Sequence, residues 1–127
     1  MDLSPRTAAL KAFLDARPGA AASSISPPRG GPTALIYKVM GKMFAILSIR
    51  GREGVIVKCD PHLVEILREQ YAGVGHRSHL DRRFWISVSL DADVPAAEVE
   101  RLVAGSYDLV CAGLTRKQRV ELEALPL

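Results

Sequence analysis

Leu10, Phe13 and Leu14 recur at three- and four-residue spacing behind Ser4 and Pro5, and the stripe stops at Pro18-Gly19. A capping serine, a proline at the first helical position and a terminating Pro-Gly predict a helix from Ser4 to Arg17. From Gly19 to Thr33 the chain is Ala, Ser, Pro and Gly with one Arg, and Pro27-Pro28 and Gly30-Gly31 predict a loop. Leu35 to Val39 and Lys42 to Arg50 then run rich in β-branched and aromatic residues around Met40-Gly41, which predicts two antiparallel strands and a tight turn. The segment "RGREG" turns the chain into a third strand, Val55 to Lys58. Phe44, Ala45, Ile46 and Leu47 are apolar on both faces, so their strand should be central and covered on at least one side by helices.

Asp60-Pro61 repeats the signal of cap then proline. Leu63, Ile66, Leu67 and Tyr71 form a helical stripe that Gly73 and Gly75 end. After a basic loop from His76 to Arg83, "FWISVSL" alternates as a fourth strand and ends at Asp91-Ala92-Asp93. Pro95 opens a third helix with Val99, Leu102, Val103, Ser106 and Val110 on one side, closed by Gly113. Thr115 with Gln118 three residues on reads as a capping box for a last helix through about Ala124. The sum is an α+β architecture, an antiparallel sheet of about four strands with helices packed on it.

At 127 residues, with 48% hydrophobic and 24% charged composition, the chain fits one compact domain. No apolar run approaches the ~20 residues of a membrane span. The amino terminus carries a charge every few residues and lacks the uninterrupted segment of a secretory signal. A cytoplasmic protein without a membrane segment is expected. Cys59 and Cys111 stand far apart with no second cysteine near either, which fits two buried thiols better than a disulfide framework or a zinc knuckle.

Net charge is only +3, but its distribution is uneven. Lys38, Lys42, Arg50, Arg52 and Lys58 stand against Glu53 alone in residues 36–58, whereas Asp91, Asp93, Glu98, Glu100 and Asp108 stand against Arg101 in residues 91–108. If these segments face apart, the molecule is electrically two-sided, and the basic side suits an acidic partner such as nucleic acid.

The blocks "PGA" at Pro18 to Ala20, "YKVMGKMFAIL" at Tyr37 to Leu47, "VKCDP" at Val57 to Pro61, His79 with Trp85, "SYDLV" at Ser106 to Val110 and "LTRKQR" at Leu114 to Arg119 resemble the MmcQ/YjbR family of small bacterial proteins. The resemblance implies a frataxin-like (CyaY-like) α+β fold and a double-wing DNA-binding module. The chain departs from the family's usual pattern at Ala21, Ala22 and Ser23, where an acid and an aromatic are common, and at Phe84 and Ile86 beside Trp85.

The candidate nucleic-acid contacts are Lys38, Lys42, Arg50, Arg52, Arg82, Arg83, Arg116, Lys117 and Arg119. Strand turns that carry arginines can lie along a groove as wings do, and each neutralised phosphate releases counterions. The competing reading is a solvated hairpin tip that blunts strands against aggregation. Arg116, Lys117 and Arg119 crowd the positive end of a helix macrodipole, which costs ~0.3–1 kcal/mol per charge. Either a phosphate held there or carboxylates such as Asp108, Glu121 and Glu123 should offset that cost.

His76 and His79, with Asp81 nearby, are spaced like a metal pair, but two flanking arginines make a poor cation site. His62 reads as a surface residue. There is no Gly-x-Ser-x-Gly elbow and no Walker loop, and Ser106 and Tyr107 read as packing and hydrogen-bonding groups rather than nucleophile and base. Trp85 reads as core, unless exposed beside Arg82 and Arg83, where it would suit unstacked bases. The expectation is a non-enzymatic DNA-binding domain without cofactor or metal. The alternative is a protein-interaction or small-anion-binding module.

Overall fold

The computed structural model describes residues 3–126. In chain order the elements are α1 (Pro5–Asp15), β1 (Ala20–Ile25), β2 (Ala34–Val39), β3 (Lys42–Ser48), β4 (Gly54–Lys58), α2 (Pro61–Gln70), β5 (Val74–Gly75), β6 (Trp85–Ser89), α3 (Ala96–Ala112) and α4 (Arg116–Glu123). All strands join one antiparallel sheet in the order β1-β2-β3-β4-β6-β5.

The sheet therefore has six strands where the pattern predicts about four. Both additional strands are edges. β1 lies in the stretch read as a loop, where "AAASSI" is almost entirely exposed and carries no alternation. It becomes a strand because the backbone of β2 supplies its ladder from Ala20↔Val39 to Ile25↔Ala34. β5 is two residues long. Helix ends also move slightly: α1 stops at Asp15 rather than Arg17, and Tyr71 caps α2 in an extended conformation instead of continuing its stripe.

The irregular apolar run in β3 has a definite cause. Tyr37 pairs with Ala45 but Lys38 pairs with Met43, so Phe44 is an extra residue on β3 and the pairing shifts by one. Such a bulge breaks strict alternation, and consecutive Phe44 and Ala45 are both fully buried. β3 is interior in the sheet, as its composition requires.

The core lies between the sheet and the helices. Tyr37, Leu47, Val55, Val57, Ile86 and Val88 on the sheet meet Leu10 and Leu14 of α1 and Val99 and Val103 of α3 in one cluster. Burying each such aliphatic side chain stabilises the fold by roughly 1.5–3 kcal/mol. Across the middle strands the other face carries Ile36, Ile46 and Ile56 in one cross-strand row, each half-buried. No helix among the described residues is long and apolar enough to cross a membrane.

Antiparallel pairing fixes the two ends of the sheet. At one end lie the Met40-Gly41 turn, Lys58 closing β4 and Trp85 opening β6. At the other lie Ala34, Ser48, Gly54 and Ser89, with the 49–53 turn.

Candidate nucleic-acid interface

The β2-β3 turn has only two residues, and both adopt positive φ, 49° at Met40 and 79° at Gly41. That conformation matches the right-handed twist of the flanking strands. It holds exposed Lys38 and Lys42 on either side of a short projecting hairpin. Lys58 pairs with Trp85, so Arg82 and Arg83, just ahead of Trp85, reach the same end of the sheet two strands away from β3.

The carboxy-terminal half of α3 is tied to this end as well. The Ser106 hydroxyl donates to the Phe44 carbonyl at 2.6 Å and accepts from the Lys58 backbone N–H at 2.8 Å. α4 follows, with Leu122 packed so near Gly19 that a Cβ there would lie 2.5 Å from its Cδ1. Lys38, Lys42, Arg82, Arg116 and Lys117 are all exposed at this end, and none forms an ion pair among the described residues. Arg83 differs: its guanidinium grips Asp81 through Nε at 3.1 Å and Nη2 at 2.8 Å and lies over the Phe84 ring. Hydrogen bonds from the Arg83 side chain and backbone hold the Asp81 carboxyl down at about 2.

Arg50 and Arg52 sit in the turn at the opposite end of the sheet. At ~3.3 Å per residue, the seven-residue β3 separates the two ends by about 20 Å. Arg52 lies 4.0 Å from Asp91, and Arg50 lies against the Gly30 backbone, where a Cβ would come within 2.9 Å of its Nη1. The nine cations singled out in the sequence thus fall into two groups.

The basic start of α4 has a source of compensation that the sequence does not show. Arg119 donates from Nε to the Leu114 carbonyl at 3.2 Å and from Nη2 to the Ala112 carbonyl at 3.1 Å, at the carboxy-terminal end of α3. That end is the negative pole of a seventeen-residue helix. Asp108, Glu121 and Glu123 make no ion pair among the described residues. Thr115 and Gln118 form the expected capping box.

Beside the basic end, a pocket of about 400 Å³ lies along one side of α2, walled by Pro61 and Val64 and ringed by Glu65, Arg68, His76, Arg82 and Arg83. Arg68 is the residue that sequence reasoning did not join to this region. Arg68 belongs to the polar side of α2, three residues after its partner Glu65, and only the fold brings it to the loop before β6. Nδ1 of His76 is buried without a hydrogen-bond partner among the described residues. Such an orphan costs roughly 1–3 kcal/mol. His62 and His79 are exposed.

A second depression, an apolar groove of about 610 Å³, runs between α2 and α3. Exposed Leu63, Ile66 and Leu109 line it.

The remaining candidate groups are structural. Ser106 is fully buried between the two backbone groups it joins. Tyr107 donates its hydroxyl to the Pro18 carbonyl and meets the Phe44 ring edge-on at 5.3 Å. Burial, then its hydrogen bond to Cys111, pushes the Tyr107 hydroxyl up to about 12. Burial likewise raises the thiols of Cys59 and Cys111, and both cysteines are free. Trp85 is half-buried at the start of β6.

The YjbR family model matches residues 16–109, from the end of α1 into α3, so α4 lies beyond it. Uncharacterized protein YjbR of Escherichia coli K12 is 32% identical over 83 residues, which are 65% of this chain and 70% of that protein. Uncharacterized protein YbdF of E. coli O157:H7 is 28% identical over 90 residues, 70% of this chain and 74% of that one. The crystal structure of a Deinococcus radiodurans protein with domain DUF419 superposes with a TM-score of 0.76 at 31% identity, covering 92% of this chain and 86% of that one. A Pseudomonas syringae protein at 22% identity, covering 69% of this chain and 86% of that one, shares the fold with a TM-score of 0.57. With the whole sheet and α2 inside the matched segment, the chain belongs to the YjbR family.

Proposed function

We propose that this chain is a single, non-enzymatic DNA-binding domain of frataxin-like architecture, which holds the phosphate backbone at the sheet end built from the β2-β3 hairpin and the loop before β6. One observation carries the reading: exposed Lys38, Lys42, Arg82, Arg116 and Lys117 gather at that end without an ion-pair partner among the described residues. Unneutralised cations attract counterions or phosphates, and contact with several phosphates releases the DNA's condensed counterions. The two-residue hairpin supplies a narrow projecting edge of the kind a wing presents to a groove. Likeness of fold to frataxin carries no iron function with it, because function resides in sites.

Fluorescence anisotropy with a labelled duplex tests the proposal. Binding should be measurable at about 50 mM salt and fall by orders of magnitude towards about 200 mM. A salt-independent affinity, or none at the lower salt, rules the reading out.

The α2-α3 groove favours a second reading, a protein-interaction module. Three of the six large apolar side chains exposed among the described residues, Leu63, Ile66 and Leu109, line that one groove. Concentrated apolar exposure marks interaction surfaces. Under this reading, Ile66→Asp/Leu109→Asp abolishes association with a partner while leaving the thermal midpoint and duplex affinity unchanged. Retained association counts against it.

A further inference from the structure

We infer that the pocket formed by Arg68, His76, Arg82 and Arg83 is a seat for a single phosphoryl oxyanion, distinct from the diffuse hairpin contacts. The inference deepens the DNA-binding reading by naming the point where one phosphate docks, and it also stands for a free phosphate if duplex DNA is not bound.

Three arginines from two elements converge on this pocket: Arg68 from α2, and Arg82 and Arg83 from the loop before β6. Its volume of about 400 Å³ accommodates a phosphate group with room for an attached sugar or peptide. The two carboxylates beside it, Glu65 and Asp81, use up only part of the available donors. Arg68 gives Nη1 to Glu65 at 2.9 and 3.2 Å, leaving Nε and Nη2 uncommitted among the described residues. Arg83 gives Nε and Nη2 to Asp81, which leaves Nη1. Arg82 has no side-chain partner among the described residues. A guanidinium has five N–H donors in a rigid fork suited to planar or tetrahedral oxyanions.

The carboxylates thereby act as positioning groups. Asp81 fixes Arg83 against the Phe84 ring, and Glu65 fixes Arg68 along α2, so less side-chain freedom is lost when an anion arrives. The His76 ring borders the pocket, while its Nδ1 is turned away into the protein, where it lacks a hydrogen-bond partner among the described residues. Pro61 and Val64 form the apolar part of its wall.

The test is a titration of isotope-labelled protein with inorganic phosphate at constant ionic strength, followed by amide chemical shifts. Saturable shifts confined to α2 and residues 76–84 are expected, and Arg82→Ala and Arg68→Gln should each weaken binding about tenfold, in the range of a lost charge-assisted bond. Arg50→Ala, at the far end of the sheet, should leave binding unchanged. All these side chains are exposed or partly so, and an unchanged thermal midpoint confirms each variant folds. Shifts that never saturate, shifts spread over every basic residue, or an Arg82→Ala protein that binds phosphate as tightly as its parent overturn the inference. A labelled duplex separates the two ideas. If phosphate binds and the duplex does not, the pocket stands and the DNA reading falls; if the duplex binds and phosphate does not, the reverse holds.

Discussion

Ser106 joins three elements through one hydroxyl: α3, which carries it, the bulged carbonyl of Phe44 in β3, and the last N–H of β4. A bulge disrupts its ladder, and this side chain satisfies the carbonyl of the extra residue. Ser106→Ala leaves a buried acceptor and a buried donor unmet, so unfolding free energy should drop by roughly 1–3 kcal/mol. In urea denaturation the midpoint should fall with the slope unchanged; an unaltered midpoint contradicts this role. The residue type and its helical setting made a structural rather than nucleophilic role legible in the sequence. Its partners were not, because they depend on the register between β2 and β3. Asp93 supports a second prediction. It accepts the N–H groups of Ala72 and Gly73 at 2.9 and 2.8 Å, and those bonds hold its carboxyl below the usual 3.8. Asp81 is held at about 2 by Arg83. A carboxyl lowered in the folded state stabilises above its unfolded value, and that contribution disappears as pH falls through the folded one. Thermal midpoints should therefore decline from about pH 4 to about pH 2, with a shallower decline in Asp93→Asn; identical pH profiles would refute the link.

The elements that a periodic pattern could announce are those with one face in the core, namely α1, α2, α3 and the four inner strands. β1 and β5 bury too little to leave such a mark, and their strand character comes from neighbouring backbone. α4 shows the limit of local reasoning in another way. Its capping box was legible in Thr115 and Gln118, but the tolerance of three cations in its first turn depends on the end of α3, which Arg119 reaches across the intervening turn. Arg119→Ala should therefore lower hydrogen-exchange protection across α4 and the last turn of α3, whereas Lys117→Ala should leave protection unchanged or raise it slightly by relieving the macrodipole. Equal loss in both variants would remove the special role of Arg119.

Across the whole molecule, the fold divides the cations of one basic segment between the two ends of the sheet. Arg50 and Arg52 belong to the basic segment of the chain, yet the fold sets them beside Gly30 and Asp91, at the end opposite the hairpin. Lys38 and Lys42 remain at the other end, joined there by Arg82 from a separate loop. Composition could give the imbalance but not this partition, since antiparallel pairing alone decides which turns share an end. The central claim is that phosphate contact belongs to the hairpin end. The direct measurement is the slope of log affinity against log salt for a labelled duplex, compared among the parent, Lys42→Ala/Arg82→Ala and Arg50→Ala/Arg52→Ala. At about −0.9 per phosphate, the account predicts that the first pair flattens the slope by about two units and weakens binding, while the second matches the parent. Equal effects of the two pairs, or loss confined to Arg50 and Arg52, would contradict it.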